Sequence, residues 1–330
     1  MDEIELIKDL LKINSVSGNE KEIGEYIVKL LKPYFKIKTQ QIDDSFNIFA
    51  YNNDNPKLIL TTHIDTVMPF FDFYEDKEYL FGRGACDTKG LMASMLSAGI
   101  EASKEGLLDF GLIFDVREET DFGGIKEAIK FANPEFVVVG EPTNFDFVVG
   151  QKGLLELKVI ARGKAAHSAV PENGVSAIEK LLTFLNKLKA IKFPCNGVLG
   201  KTTLNIGKIT GGTAANIVPD YAEAELSFRL ACDSKFILGE LQRISREVEL
   251  KIYSCYESVC TSTDFLKDFN NKKTTLPYFT ELGFWNKSRG FVFGPGDAKY
   301  AHSADERIRK EDVIKGKKEY LDLIKKLSKK

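Results

Sequence analysis

Residues 3–13 and 20–32 carry apolar positions at helical spacing, and two strand-like runs, Phe46–Tyr51 and Leu58–Thr62, follow them. A helix over about 90–104, a strand at Phe110–Val116, a helix at 124–131 and a strand at Phe136–Gly140 continue an alternation of the α/β type. The strands read as nearly unbroken apolar runs, Leu58-Ile59-Leu60 and Val137-Val138-Val139, which is the pattern of a mostly parallel sheet covered by helices on both faces.

From about residue 153 the rhythm changes. Strand Leu154–Ala161, helix Val175–Leu188, strands Thr203–Ile209 and Ala222–Leu230, helix 234–245 and strand Val248–Tyr253 give the order βαββαβ, which predicts a ferredoxin-like domain. After about residue 262 the pattern is irregular until Phe291–Asp297 and a closing helix, a tail too short for a core of its own. The expected organisation is therefore a discontinuous first domain, 1–152 and 262–330, interrupted by an inserted domain at 153–261.

Composition narrows the function classes. The 330 residues are 43% hydrophobic and 28% charged, with 46 basic and 48 acidic residues well mixed to a net charge of -2, so no field favours nucleic acid or an anionic membrane. Five scattered cysteines without a Cys-x-x-Cys pair argue against disulfides and thiolate zinc sites, and no apolar run reaches the roughly 18 residues of a membrane span. The expectation is a cytoplasmic protein. The lysine-rich end (Lys315, Lys317, Lys318, Lys325, Lys326, Lys329, Lys330) reads as the solvated face of a helix, because Val313, Tyr320, Leu323, Ile324 and Leu327 recur among those lysines at roughly helical spacing.

Only three histidines are present, each in a short polar segment: His63 in Thr62–Thr66, His167 in Ala166–Ala169 and His302 in Ala301–Asp305. Asp65 lies two residues after His63, where a carboxylate can accept one ring N–H and leave the other nitrogen for a metal. Taken alone, that spacing fits a structural histidine equally well. Asp87 stands at a glycine-rich turn (Gly82-Arg83-Gly84) before a predicted helix, where helix capping is a sufficient account of it. The next two strands end in Glu118-Glu119 and Gly140-Glu141, so three successive segments deliver acids to the strand ends that line a ligand crevice in an open α/β sheet. Clustered carboxylates need cations, and two divalent metals with imidazole and carboxylate ligands supply them.

The set His63-x-Asp65, Gly-x-Gly-x-x-Asp87-x-Lys-Gly, Glu118-Glu119, Glu141-Pro and His302 resembles the dinuclear zinc metallopeptidases and deacylases that include acetylornithine deacetylase, succinyl-diaminopimelate desuccinylase, aminoacylase and glutamate carboxypeptidase. The resemblance covers nearly the whole chain, and five motifs in order make it specific. It implies a catalytic domain with an inserted lid and dimerisation domain, and two Zn2+ ions for which Co2+ can substitute. His63 and Glu141 would hold one ion, Glu119 and His302 the other, and Asp87 would bridge them. Glu118 would be the general base and Asp65 the partner of His63. Neighbours on a strand point to opposite faces, which agrees with Glu119 ligating while Glu118 handles protons.

The resemblance further implies that His167 donates to the oxyanion in a partner subunit's site, which makes a homodimer the expected assembly. Asn216, in an Asn-x-x-Pro pattern, and Arg229 are candidates for gripping a substrate α-carboxylate, with backbone N–H groups around Gly294 and Gly296 sharing the task. The expected substrate is an N-acyl amino acid, N-acetylornithine or a related acylated ornithine or lysine of amino-acid biosynthesis, free or linked to a carrier protein. A dipeptidase, an aminopeptidase or a succinyl-diaminopimelate desuccinylase would use the same site. The chain departs from the pattern in its shortness between His63 and Asp87, which leaves the acyl-group preference open.

Overall fold

The computed structural model describes residues 2–329; Met1 and Lys330 lie outside the described residues. The chain divides into two compact units, one of residues 1–149, 261–274 and 284–330, the other of 150–260 and 275–283. Residues 275–283, expected in the first domain, therefore belong to the second. The reason is local: Thr280 Oγ1 donates to Gln151 Oε1 at 2.6 Å, Gln151 Nε2 donates back to the Thr280 carbonyl at 3.0 Å, and Phe279 stacks on Tyr256.

In the main sheet the strands lie in the order Lys36–Ile42, Ser45–Tyr51, Phe110–Asp115, Leu58–His63, Phe136–Val139, Arg289–Val292 and Phe147–Gln151, the last running from the first unit into residues 150 and 151 of the second. The central pairings are parallel and the outer ones antiparallel, so the sheet is mixed, with the parallel part at its middle. The central strands are buried at every position, as their unbroken apolar runs require. Lys36–Ile42, Arg289–Val292 and Phe147–Gln151 are strands that the sequence pattern did not single out. The first alternates polar and aliphatic residues along a mostly exposed edge, and the other two are short.

Helices Glu3–Lys12, Gly90–Lys104 and Lys310–Leu327 pack together on this unit. Asp2 caps the first by accepting the Ile4 N–H at 2.9 Å. Helix Gly90–Lys104 is buried nearly all round and rich in Gly, Ala and Ser, which lets its neighbours approach closely. A Cβ at Gly316 on the C-terminal helix would stand 2.7 Å from Ser94 Oγ, and that hydroxyl bonds the Val313 carbonyl at 2.9 Å. The C-terminal helix buries Val313, Tyr320, Leu323, Ile324 and Leu327, and its lysines face outward or form ion pairs.

The second unit is a four-stranded antiparallel sheet in the order Thr203–Gly211, Tyr221–Leu230, Gly153–Arg162, Val248–Tyr256, with helices Ala177–Lys189 and Ser234–Ile244. Period-two burial makes its core: Leu155, Leu157, Val159 and Ala161 on one strand, Ala222, Ala224, Leu226, Phe228 and Leu230 on the next, against Leu181, Phe184, Leu188, Ile237 and Leu241 of the helices. This is the ferredoxin-like βαββαβ arrangement. Among the described residues, no helix is long and apolar enough to cross a membrane.

Candidate metal centre

His63 ends its central strand in register with Asp115 and is 1% exposed. Its Nδ1 lies 3.0 Å from the Asp65 carbonyl oxygen and 3.4 Å from Asp65 Oδ1. Nδ1 thus carries a proton, and Nε2 points at Asp87 Oδ1, 3.1 Å away. The buried Asp65 carboxylate also accepts the Glu118 N–H at 3.0 Å, the Glu119 N–H at 3.2 Å and the Ser17 hydroxyl at 2.7 Å. Asp65 was expected to orient His63 with its side chain. The backbone carbonyl makes the shorter bond, and the carboxylate organises the acidic pair.

Asp87 sits in an irregular turn between Gly84 and the helix that starts at Gly90, with φ -127° and ψ 89°. Gly84 has φ +84°, and a Cβ there would meet Thr66 Cγ2 at 2.8 Å and Lys89 Cδ at 3.0 Å, so a side chain at this position would clash and strain the backbone. Asp87 Oδ1 faces His63 and Oδ2 lies 3.4 Å from His302 Nε2. The two oxygens of one carboxylate thus face different imidazoles.

Glu118 and Glu119 do not continue a strand, contrary to the expectation that placed them on opposite faces of one. The strand stops at Asp115, Arg117 turns the chain at φ 65°, and Glu118–Asp121 forms one helical turn ended by Phe122 at φ 58°. The first two N–H groups of that turn are the ones Asp65 accepts. Both carboxylates consequently lie on one side: His63, Glu118 and Glu119 each offer a ligand atom within 4.8 Å of the others. Glu141 follows strand Phe136–Val139 and is 6% exposed. His302 is half-exposed, adopts φ 59°, and has Nε2 2.9 Å from Glu119 Oε1.

Two further three-residue sets meet the same 4.8 Å criterion, His63 with Asp87 and Glu141, and Asp87 with Glu119 and His302. Asp87 belongs to both. Burial opposes ionisation of Asp87, but the hydrogen bonds from His302 and His63 outweigh it and hold its pKa below the ordinary range. Burial raises the pKa of Glu118, of Glu119 and of Glu141, and charged Asp87 close by adds to the rise in all three. Hydrogen bonds to Asp87 and Glu119 raise His302 to about 10. Four buried or part-buried acids crowded around two imidazoles would repel one another without positive charge between them. The donor set, imidazole nitrogen and carboxylate oxygen with one shared carboxylate, fits a pair of divalent ions.

The candidates for substrate contact are placed differently. The Gly294 N–H donates to Thr143 Oγ1 at 3.1 Å, so it is already engaged, and Pro295 has none to offer. Gly294 serves the acid beside it: a Cβ there would stand 2.6 Å from the Glu141 carbonyl oxygen. Gly296 lines a polar cavity of about 200 Å³ with Lys299, Tyr300 and Arg307, which none of the presumed metal ligands lines. In the second unit His167 is exposed, on a short ribbon paired to Ile217 next to Asn216, and its Nδ1 accepts the Ala169 N–H at 3.0 Å. Arg229 is half-buried near the far end of strand Tyr221–Leu230. At about 3.3 Å per residue it lies roughly 26 Å along that strand from Tyr221, where the ribbon adjoins. Arg229 therefore stands at the opposite end of that strand from Tyr221. Ser17 and Thr143, which hold Asp65 and Gly294, escaped the sequence reading because a lone hydroxyl carries no pattern.

Residues 149–251 match the Peptidase dimerisation domain of the M20 peptidases. A Peptidase M20 domain-containing protein of Schizosaccharomyces pombe is 33% identical over 342 residues, covering 97% of this chain and 84% of its own length. A probable carboxypeptidase of Aspergillus clavatus is 32% identical over 361 residues, covering 97% and 87%. Among solved structures, a tripeptidase from Staphylococcus aureus shares the fold at TM-score 0.82 and 20% identity, over 100% of this chain and 98% of that one. An M20 family metallo-carboxypeptidase from Sulfolobus solfataricus does so at TM-score 0.79 and 18% identity, over 100% of both chains. Likeness over nearly the whole length, in sequence and in fold, makes this chain a member of the M20 peptidase family, metal-dependent hydrolases of amide bonds.

Proposed function

We propose that the protein is a dinuclear zinc-dependent amidohydrolase that removes the acyl group from an N-acyl amino acid, N-acetylornithine or a related acylated ornithine or lysine. One observation carries the dinuclear reading: Asp87 Oδ1 lies 3.1 Å from His63 Nε2 and Oδ2 lies 3.4 Å from His302 Nε2, as a bridging carboxylate requires. In this reading His63 and Glu141 hold one ion and Glu119 and His302 the other. Zinc suits the mixed nitrogen and oxygen donors, and cobalt substitutes for it. Bound there, the ions would supply Lewis acidity toward the amide carbonyl and a water whose pKa is lowered toward about 7.

The remaining steps fall to the chain's own residues. The carboxylate of Glu118 makes no hydrogen bond to either imidazole among the described residues, which leaves it free to accept a proton from the attacking water. The same carboxyl group then passes that proton to the departing amine nitrogen. Asp65 keeps the Glu118 and Glu119 backbone in place through both N–H groups. The match of residues 149–251 to a dimerisation domain supports a homodimer in which exposed His167, with Asn216 beside it, completes the site of a partner subunit and donates to the oxyanion. Arg229 would then meet the substrate carboxylate separately from Asn216.

A second reading, a carboxypeptidase or dipeptidase, is favoured by the names of relatives such as the probable carboxypeptidase of Aspergillus clavatus. The test is a turnover panel on zinc-loaded and cobalt-loaded protein with N-acetylornithine, N-acetyllysine, N-succinyl-diaminopimelate and several dipeptides. The deacylase reading predicts release of ornithine or lysine that a chelator stops and added metal restores. Dipeptides cleaved far faster than every acylated amino acid would transfer the assignment to the peptidase reading.

A further inference from the structure

We infer that Arg83 and Glu306 form a buried clamp that positions the bridging carboxylate of Asp87, and so sets the affinity and geometry of the metal pair; this rests on the dinuclear reading above. Neither residue belongs to a ligand set. Glu306 is 0% exposed and Arg83 2%. Arg83 Nη1 donates to Glu306 Oε2 at 2.6 Å. The other oxygen, Oε1, accepts the N–H of Cys86 at 3.1 Å and of Asp87 at 3.0 Å. One carboxylate oxygen thus neutralises an arginine while the other fixes two successive peptide groups, the second being that of Asp87 itself.

Asp87 is in need of such a partner. Its φ of -127° and ψ of 89° are not helical, so its N–H is not held by a helical ladder, and the direction of its Cα–Cβ bond depends on what holds that peptide. Bridging makes a stringent demand on that direction, because a small rotation that improves the contact of one oxygen spoils the other. A charged acceptor resists rotation better than a neutral one.

The clamp also joins three segments that carry site residues. Glu306 is four residues beyond His302. Arg83 Nε donates to the Pro69 carbonyl at 3.0 Å, and its guanidinium lies 5.0 Å from the centre of the Phe71 ring, on the loop that follows Asp65. A single ion pair therefore ties the loop after His63 and Asp65, the Asp87 turn and the segment after His302. Charged side chains are seldom buried this completely unless paired, and replacing such a pair by apolar groups often leaves stability unharmed. Stability alone is a weak reason for its presence, and positioning is a better one.

Three proteins test this: wild type, Glu306→Gln, and the double variant Arg83→Met with Glu306→Gln. Zinc affinity is measured by chelator competition, cobalt loading by its visible absorption spectrum, and melting temperature on metal-free protein. In Glu306→Gln the affinity for at least one ion should fall about 10–100-fold, and the cobalt spectrum should change. The double variant, with no unpaired buried arginine, should regain melting temperature lost by Glu306→Gln without regaining metal affinity. The inference is overturned if Glu306→Gln binds two ions with wild-type affinity and spectrum, or if the double variant restores affinity together with stability. Should Glu306→Gln fail to fold, the double variant decides alone: wild-type affinity and spectrum overturn the clamp. A wild type that binds fewer than two ions would sink the dinuclear reading itself, an outcome visible before any variant is made.

Discussion

The candidate metal centre of the first unit and the polar groups of the second are built on opposite principles. Around Asp87, Glu118 and Glu119 the backbone is held by buried partners: Asp65 accepts two N–H groups and a hydroxyl, and Glu306 accepts two more N–H groups. His167 and Asn216, by contrast, are exposed on a two-residue ribbon, and Arg229 stands near the other end of a ten-residue strand. A buried, cross-linked constellation can be complete within one chain. An exposed ribbon with no buried partners of its own leaves His167 and Asn216 open to a second chain, and this is the physical content of the proposal that they act across a dimer.

The largest effect that could break this contrast is at Glu118. Glu118→Ala should lower kcat on the order of 10²–10⁴-fold while two ions remain bound, measured by steady-state turnover beside metal analysis. If turnover survives, the base lies elsewhere. His167→Ala should lower kcat on the order of 10²–10³-fold with metal content and dimer unchanged. An unaltered rate would confine the chemistry to the first unit. Mixing His167→Ala with Glu118→Ala protein sharpens the point further, since activity regained in mixed dimers shows that the two groups serve one site from different subunits.

Smaller effects probe how tightly the first site is held. Gly294→Ala forces a methyl against the Glu141 carbonyl and should cost about 1–3 kcal/mol in denaturant unfolding, with weaker metal binding; a neutral result would mean the loop yields freely. The gentlest expectation concerns pH. His302, raised to about 10 in the metal-free protein, contributes stability that is full below about 6.5 and is lost as pH rises through its folded value. The buried Glu118 and Glu141, also raised, hold protons that the unfolded chain releases near 4.5, so their effect has the same sign. The melting temperature of chelator-treated protein should therefore fall between about pH 7 and 9.5, and metal, which takes the place of those protons, should flatten the curve. A metal-free melting temperature that climbs over that range would contradict the assigned charges.

Much of this was legible because it is periodic or local. The βαββαβ unit announces itself through alternation along Gly153–Arg162 and Tyr221–Leu230, and the central strands through unbroken apolar runs. The acids that converge were readable from their position at strand ends. Edge strand Lys36–Ile42 was not, since an exposed edge needs no apolar face. Segment 275–283 was misassigned to the first unit because its tie to Gln151, between residues 129 apart, leaves no mark in either local sequence.

By itself the sequence determined the α/β class and the βαββαβ run, because periodicity fixes those through local geometry, and the side chains proposed to ligate came from ordered motifs that resemble a known family. The tertiary structure alone decided how the ligands are aimed. It turned Glu118 and Glu119 onto one side through the left-handed Arg117, gave Asp65 to the acidic pair as well as to His63, and brought Glu306 beneath Asp87 across 219 residues. Aim depends on buried hydrogen bonds between distant segments, and such bonds form only once the core has folded.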